Sequence, residues 1–518
     1  MKKWIFLIAI LLVAAGLRIV LLDRRPAGFT WDEAALGYNA YSLLKTGRDE
    51  YGKVLPIVLK SFGDYKPGLY AYFTVPSVAV LGLNEFATRL PSAIFGTLLI
   101  VVVYLLTRNI FASLLLAIMP WAVHFSRGAW EANVALTLTT IATLLFIRRR
   151  YLFSALFFGL TILTYQGAKM FTPLLLLSLF FIYRPSIKLV TKPLILLFFL
   201  ALPIFLGFST QSGRLKVFSV FSYRRNTETV NEIIRQDQNN KLLFWLFHSE
   251  IIDQGRGVVQ RYLNHLSPYY LFIAGDWQNL RHSIPYYGYL HIPEILTIIV
   301  GFIVLLRTNN QLTKLLVAWL LLAPLPAAFS RDLVSGVRSL PMVIPLVIIS
   351  GIGLSRLLKK RLLFLIYLIV LLFFFGYYLD LNFKHSPYFT SQQWLYPYKS
   401  AIQTVAKYQN EYDHIIFTSS LGQPYIFVLF YDQIDPRLYQ SQSHLIDSPQ
   451  GDVGEVSKFG KYVFKKVDWP AERDMTSTLF VGDKYELPEQ DMNPVNIVRL
   501  GEIYYPDGSH ALRVVGLK

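Results

Sequence analysis

Apolar runs recur along the first three-quarters of this chain, at about 4–22, 90–107, 110–124, 133–147, 151–165, 168–183, 190–208, 291–306, 314–329, 338–355 and 362–379. An untilted helix needs about 20 apolar residues to cross a bilayer, and lipid offers no partner to an open backbone. The runs therefore predict an all-α polytopic membrane domain with about eleven transmembrane helices. A soluble chain of 518 residues has no need for 54% hydrophobic residues.

The net charge of +17 would suit a nucleic-acid binder, but the lysines and arginines sit in short clusters between apolar runs. That placement fits the positive-inside rule and excludes nucleic acid as the partner. With a cytoplasmic N-terminus, the inner turns hold Arg108; Arg148-Arg149-Arg150; Arg184, Lys188 and Lys192; Arg307 and Lys314; and Arg356, Lys359, Lys360 and Arg361, with no acid among them. Lys2-Lys3 begins like a signal peptide. The apolar run behind it is too long and lacks a small-residue cleavage site, so it reads as a retained first helix of a multi-pass cell-membrane protein. The stretch 69–83 contains Pro76. If it crossed, Arg148-Arg149-Arg150 would move outside, so it reads as a re-entrant or interfacial helix. The absence of cysteine excludes disulfides, zinc thiolates and thiol nucleophiles.

The organisation that follows is a membrane domain over 1–380 with outer loops at about 23–89 and 209–290, and a small extracytoplasmic α/β domain over 381–518. In the latter the sequence predicts a helix near 392–408, strands at 414–419 and 478–481, and a hairpin of 502–505 and 511–515 around Pro506-Asp507-Gly508-Ser509.

Candidate chemistry lies in the outer segments. Phe29-Thr30-Trp31-Asp32-Glu33-Ala34 sets two adjacent carboxylates just after the first run. Thr30 reads as an N-cap with Glu33 as its capping-box partner, which is an architectural role for Glu33. Asp32 has no such role. Beside Trp31 at the bilayer surface it should lose hydration and rise in pKa, as suits a general base. In the stretch 61–72, Lys66 opens an interfacial helix, where it either holds a lipid-linked phosphate or snorkels as an anchor; Asp64, Tyr65 and Tyr70 flank it. Arg127 stands on the side that the positive-inside rule empties of arginine, so it needs a partner: a phosphate oxygen, or Glu131 at i+4. Arg281 and His282 add a cation and a candidate metal ligand, although the nine histidines are scattered and form no HExxH pair. Arg338 begins a run, as a phosphate cation or as an interfacial anchor. Gly351-Ile352-Gly353 lacks the third glycine of a nucleotide fingerprint and lies inside a span.

Taken together, a first helix, an acidic pair (Trp31-Asp32-Glu33-Ala34), an acidic-Lys-Pro motif (Asp64-Tyr65-Lys66-Pro67) and Arg89-Leu90-Pro91 resemble the GT-C glycosyltransferases. Within that class the pattern is similar to the protein O-mannosyltransferases and the lipid A aminoarabinose transferase. The motifs concentrate in residues 30–135, and the architecture extends over about the first 380.

The resemblance implies transfer of a sugar from a polyprenyl-phosphate donor to an extracytoplasmic acceptor: a glycan, a lipid or a protein. It implies Asp32 as base, Glu33 as orienting or acceptor-binding group, and Lys66, Arg127, Arg281 and Arg338 as cations for the leaving phosphate. Asp64, Tyr65, Tyr70, Glu131 and His282 complete the candidate substrate-binding set. No cofactor is demanded; some members of the class use a divalent metal. Two departures stand out: Tyr65 separates Asp64 from Lys66, and Gly68 replaces a frequent second proline. The C-terminal region does not resemble a β-trefoil, which speaks against a protein acceptor. The alternative reading is a transporter or flippase of lipid-linked glycans. Transporters favour inverted repeats and charges at mid-membrane, whereas here the charges cluster in loops.

Overall fold

The computed structural model describes residues 2–207, 219–222, 224–308, 310–448, 453–492 and 494–518. The end of the seventh run at 208 and the start of the second outer loop, 209–218, lie outside the described residues. Every apolar run is helical. In chain order the first part comprises α1 (Lys2–Ile19), α2 (Trp31–Thr46), the hairpin β1 (Val58–Ser61) and β2 (Asp64–Pro67), α3 (Leu69–Leu81), α4 (Glu85–Thr107), α5 (Ile110–Ile118), α6 (Pro120–Phe125), α7 (Glu131–Ile147), α8 (Tyr151–Ile162), α9 (Ala168–Tyr183) and α10 (Ile187–Leu206). Later apolar helices run Glu294–Thr308, Gln311–Ala328, Leu340–Leu357 and Arg361–Asp380. Pro120, which has no N–H to continue the ladder, splits the third run into α5 and α6. Among the described residues, five helices are long and apolar enough to cross a membrane by length and composition: Glu85–Thr107, Ile187–Leu206, Gln311–Ala328, Leu340–Leu357 and Arg361–Thr390.

The basic turns share one end of the bundle. Trp4 meets Tyr104, Arg148 reaches the Leu105 carbonyl, Asn109 pairs with Ser355 and Gln311 reaches the Ile182 carbonyl. The loop carrying Asp32 and the C-terminal sheet occupy the other end. Here α3 both begins and finishes: the Leu69 N–H donates to the Leu163 carbonyl, and the Leu83 carbonyl accepts from Gln433. It begins and finishes at this end without traversing the bundle.

The C-terminal region holds a six-stranded mixed sheet. Its order is Lys458–Phe459, Tyr462–Phe464, His414–Phe417, Thr478–Gly482, His510–Leu517 and Ile497–Tyr504. The strand His414–Phe417 runs parallel to both its neighbours. The expected helix begins at Pro397 rather than 392, and the hairpin strands are longer than expected. Helices Pro424–Tyr431 and Pro436–Gln442 were not expected. The first of these is almost wholly buried and apolar, and a short apolar run does not announce a helix by periodicity.

One buried core joins this sheet to the first loop: Phe29, Ala34, Tyr38 and Phe62 pack with Tyr398, Phe417, Phe427, Phe430 and Val514. The Phe29 and Phe430 rings lie 4.8 Å apart. Lys399 pairs with Glu85 at 2.6 Å, and Tyr431 also donates to Glu85. The C-terminal region is thus built onto the loop that carries Asp32.

Candidate active site

The site grows from the first turn of α2. The Glu33 N–H donates to Thr30 Oγ1 at 3.3 Å and the Thr30 N–H donates to Glu33 Oε2 at 3.1 Å, which closes the expected capping box. Successive residues of a helix diverge by about 100°, so Asp32 and Glu33 leave the turn in different directions.

Glu33 turns inward. Its oxygens accept from Arg89 Nε at 2.8 Å and Arg89 Nη2 at 3.0 Å, and Oε1 also accepts the Ala129 N–H at 2.9 Å. Arg89 spends its remaining donors on the carbonyls of Leu22, Pro26 and Gly28. The side chains are 0% and 5% exposed for Arg89 and Glu33. A buried pair of this kind holds only when both partners are fully hydrogen-bonded, as these are. Glu33 has no oxygen left for a substrate, which corrects its expected catalytic or acceptor-binding role. It fixes the helix start and, through Ala129, the turn between α6 and α7.

Asp32 turns the other way. Its Oδ1 lies 2.8 Å from Lys66 Nζ, with side-chain exposures of 40% for Asp32 and 7% for Lys66. The desolvation expected beside Trp31 is not what Asp32 meets; it is half-open and ion-paired. Lys66 sits in β2 opposite Leu59, rather than at a helix start. The hairpin turn is Phe62-Gly63, with φ of 55° and 82°, the left-handed pair that two-residue hairpins require. A nearly buried ammonium needs an anion, and Asp32 supplies it. Arg281 stacks over the ring of the neighbouring Trp31 at 5.8 Å.

The other candidates disperse. Arg127 donates to the carbonyls of Leu17, Val20, Leu21 and Arg25. It therefore caps the end of α1, where the helix dipole favours a cation. Tyr70 is buried and donates to the Thr88 carbonyl, so it is a packing residue rather than a substrate ligand. Glu131 opens α7 and lies within electrostatic reach of Tyr70. Asp64 is buried in the hairpin, within electrostatic reach of Lys169. The Tyr65 ring lies under Lys60 at 5.9 Å.

His282 bonds Asp276 at 2.9 Å. Burial opposes the charged form of Asp276, but His282 and the N–H groups of Gly336 and Asn279 outweigh it and hold the carboxyl below its usual range. Arg338 pairs with Asp332 and reaches Ser335. Among the described residues, no group of three or more His, Asp or Glu side chains is arranged to hold a metal.

The sequence reading missed two cations. Arg89 was visible only inside its Arg-Leu-Pro motif, with no clue to its partner. Lys169 opens α9 at the carboxylate end; a lone cation at the start of an apolar run was the available signal.

The family model for dolichyl-phosphate-mannose-protein mannosyltransferase matches residues 65–210. That stretch includes Lys66 and Arg89 and stops short of Asp32. Two solved structures of ArnT from Cupriavidus metallidurans are similar along the whole chain. The apo form is 12% identical, covers 99% of this chain and 98% of ArnT, and has a TM-score of 0.56. The form bound to undecaprenyl phosphate has the same identity and coverage and a TM-score of 0.57. No curated protein matches the chain by sequence. The chain has the overall fold of ArnT and, with five helices among the described residues long and apolar enough to cross a membrane, is a multi-pass membrane protein.

Proposed function

We propose that this chain transfers a sugar from a polyprenyl-phosphate donor to an acceptor on the extracytoplasmic side of the cell membrane, with the N-terminus and basic turns in the cytoplasm. About eleven membrane helices carry the site, and the C-terminal domain lies outside. The observation that carries this reading is the Asp32–Lys66 pair at 2.8 Å. It joins a half-open carboxylate to a cation at one end of a membrane bundle, in a fold that in ArnT accommodates undecaprenyl phosphate.

The chemistry follows from that pair. The donor phosphate competes with Asp32 for the Lys66 ammonium, with Arg281 alongside. Donor binding therefore draws Lys66 away from Asp32. An acceptor hydroxyl or amine attacks the anomeric carbon, its proton passes to Asp32, and the carbon–oxygen bond to phosphate breaks. The polyprenyl phosphate leaves with the electron pair, held by Lys66. A positioned base and a preorganised cation at the developing charge each lower the barrier. Glu33 and Arg89 hold both groups in register without touching substrate. Tyr65 and Glu131 remain candidates for the substrate wall.

The test is to incubate the purified protein with a panel of polyprenyl-phosphate sugars and acceptors. Acceptor-dependent release of polyprenyl phosphate is expected. Movement of intact donor across vesicle membranes without bond cleavage would instead identify a flippase.

A further inference from the structure

The second outer loop contains the helix Glu250–Leu266, whose two faces are the wrong way round for water. Successive helical residues turn by about 100°, so Ile252, Val259 and Leu263 fall on one stripe. That stripe points away from the protein: Val259 and Leu263 are each 58% exposed, and Ile252 is 46% exposed. Polar side chains make the contacts with the bundle. Arg261 Nε donates to the Arg331 carbonyl, the Tyr262 hydroxyl to the Leu321 carbonyl at 2.8 Å, and Asn264 Nδ2 to the Leu333 carbonyl at 3.2 Å. His265 is fully buried, and its Nε2 accepts the Ser335 N–H at 2.9 Å. A helix on the wet surface of a protein buries its apolar stripe and turns its polar face outward. This helix does the opposite, which suits an apolar surrounding on its outer side.

Its depth agrees with that surrounding. Leu321, the partner of Tyr262, lies inside the span Gln311–Ala328, short of its outer end, and its own side chain is exposed on the flank of the bundle. The apolar stripe is therefore continuous with the lipid-facing surface. The segment before the helix adds Leu242, Trp245 and Phe247, each 63% exposed. Arg225 ties this segment to the helix start, pairing with Glu250 at 3.0 Å and donating to the His248 carbonyl. Arg256 borders the stripe and pairs with Asp253 at 2.9 Å, as a charged edge at head-group level would. So many large apolar side chains on one exposed surface mark a contact face, and tryptophan favours the membrane interface.

We propose that the stretch 242–263 lies in the outer leaflet of the membrane, with the Ile252–Val259–Leu263 stripe among the acyl chains just below the head groups. Its partner is the lipid bilayer. The inner polar face then works as a strut. It holds the segment 331–335 at a fixed depth, and the adjoining residues bond onward: Leu333 N–H to Gln278 and Gly336 N–H to Asp276. The loop that carries Arg281 and His282 is thereby referenced to the membrane surface. This placement does not depend on the sugar-transfer reading.

The chain contains no cysteine, so single cysteines report without background. Ile252→Cys, Val259→Cys and Leu263→Cys are spin-labelled one at a time in the full-length protein, reconstituted in phosphatidylcholine bilayers. All three labels should collide more often with dissolved oxygen, which concentrates in lipid, than with a water-soluble nickel chelate. Tyr485→Cys, at an exposed position of the C-terminal domain, should show the reverse order. A preference for the nickel chelate at the three helix positions would place the stripe in water and overturn the proposal. Few collisions with either reagent would show a protein cover, such as a second copy of the chain, and would overturn it equally. Neither result touches the assignment of Asp32 and Lys66.

Discussion

Asp32 and Glu33 are neighbours on one helical turn, yet their surroundings share almost nothing. Glu33 lies in a sealed pocket where every oxygen is used and the arginine opposite it is equally saturated. Asp32 faces an open edge with a lysine ammonium 2.8 Å away. The difference teaches how a membrane protein separates support from chemistry. An ion pair that must not move is buried and fully hydrogen-bonded; one that must exchange partners stays partly open.

That contrast can be broken at either side. The largest effect on activity is expected from Asp32→Asn, which removes the proposed base and should lower sugar transfer by about 10²–10⁴-fold; because it also takes the anion from the nearly buried Lys66, the melting temperature should fall, though less than in Glu33→Ala. Glu33→Ala should do the reverse. It strands Arg89 as a buried unpaired cation and should cost about 3–5 kcal/mol of stability, read as loss of folded protein in a thermal melt. Lys66→Met should weaken donor binding by about tenfold or more while leaving the Glu33–Arg89 pocket, and hence the melt, nearly unchanged.

Two smaller effects sharpen the comparison. Thr30→Ala removes half of the capping box and should cost about 1 kcal/mol, with a modest fall in melting temperature. Glu50 has a raised folded-state value of about 8, above the ordinary 4.5. Its contribution is therefore fully present below about pH 4.5 and lost as the pH rises through about 8. The wild-type melting temperature should decline across that window more than that of Glu50→Gln.

The sequence made some of this legible and hid the rest for physical reasons. The apolar helices were readable because lipid demands long apolar runs, and the capping box because its partners lie three residues apart. The Asp32–Lys66 pairing was readable only as two candidates on one side of the membrane. The partners of Arg89 and Arg127 were not readable at all: one bonds a carboxylate 56 residues away, and the other reaches backbone carbonyls 102 to 110 residues away. Carbonyls leave no trace in side-chain chemistry. The union of the C-terminal sheet with the first loop was hidden too, because Phe29 and Phe430 look like ordinary apolar residues until they meet. Lys66 in a strand was missed because Phe62-Gly63 is a weaker turn signal than Asn-Gly or Asp-Gly.

The most direct measurement pairs donor binding with turnover in one variant. Asp32→Asn should bind undecaprenyl phosphate at least as tightly as wild type, since the phosphate no longer competes with the Asp32 carboxylate for the Lys66 ammonium, and should release almost no lipid phosphate from a sugar-bearing donor. Wild-type turnover in that protein would contradict the assignment of Asp32 as the base.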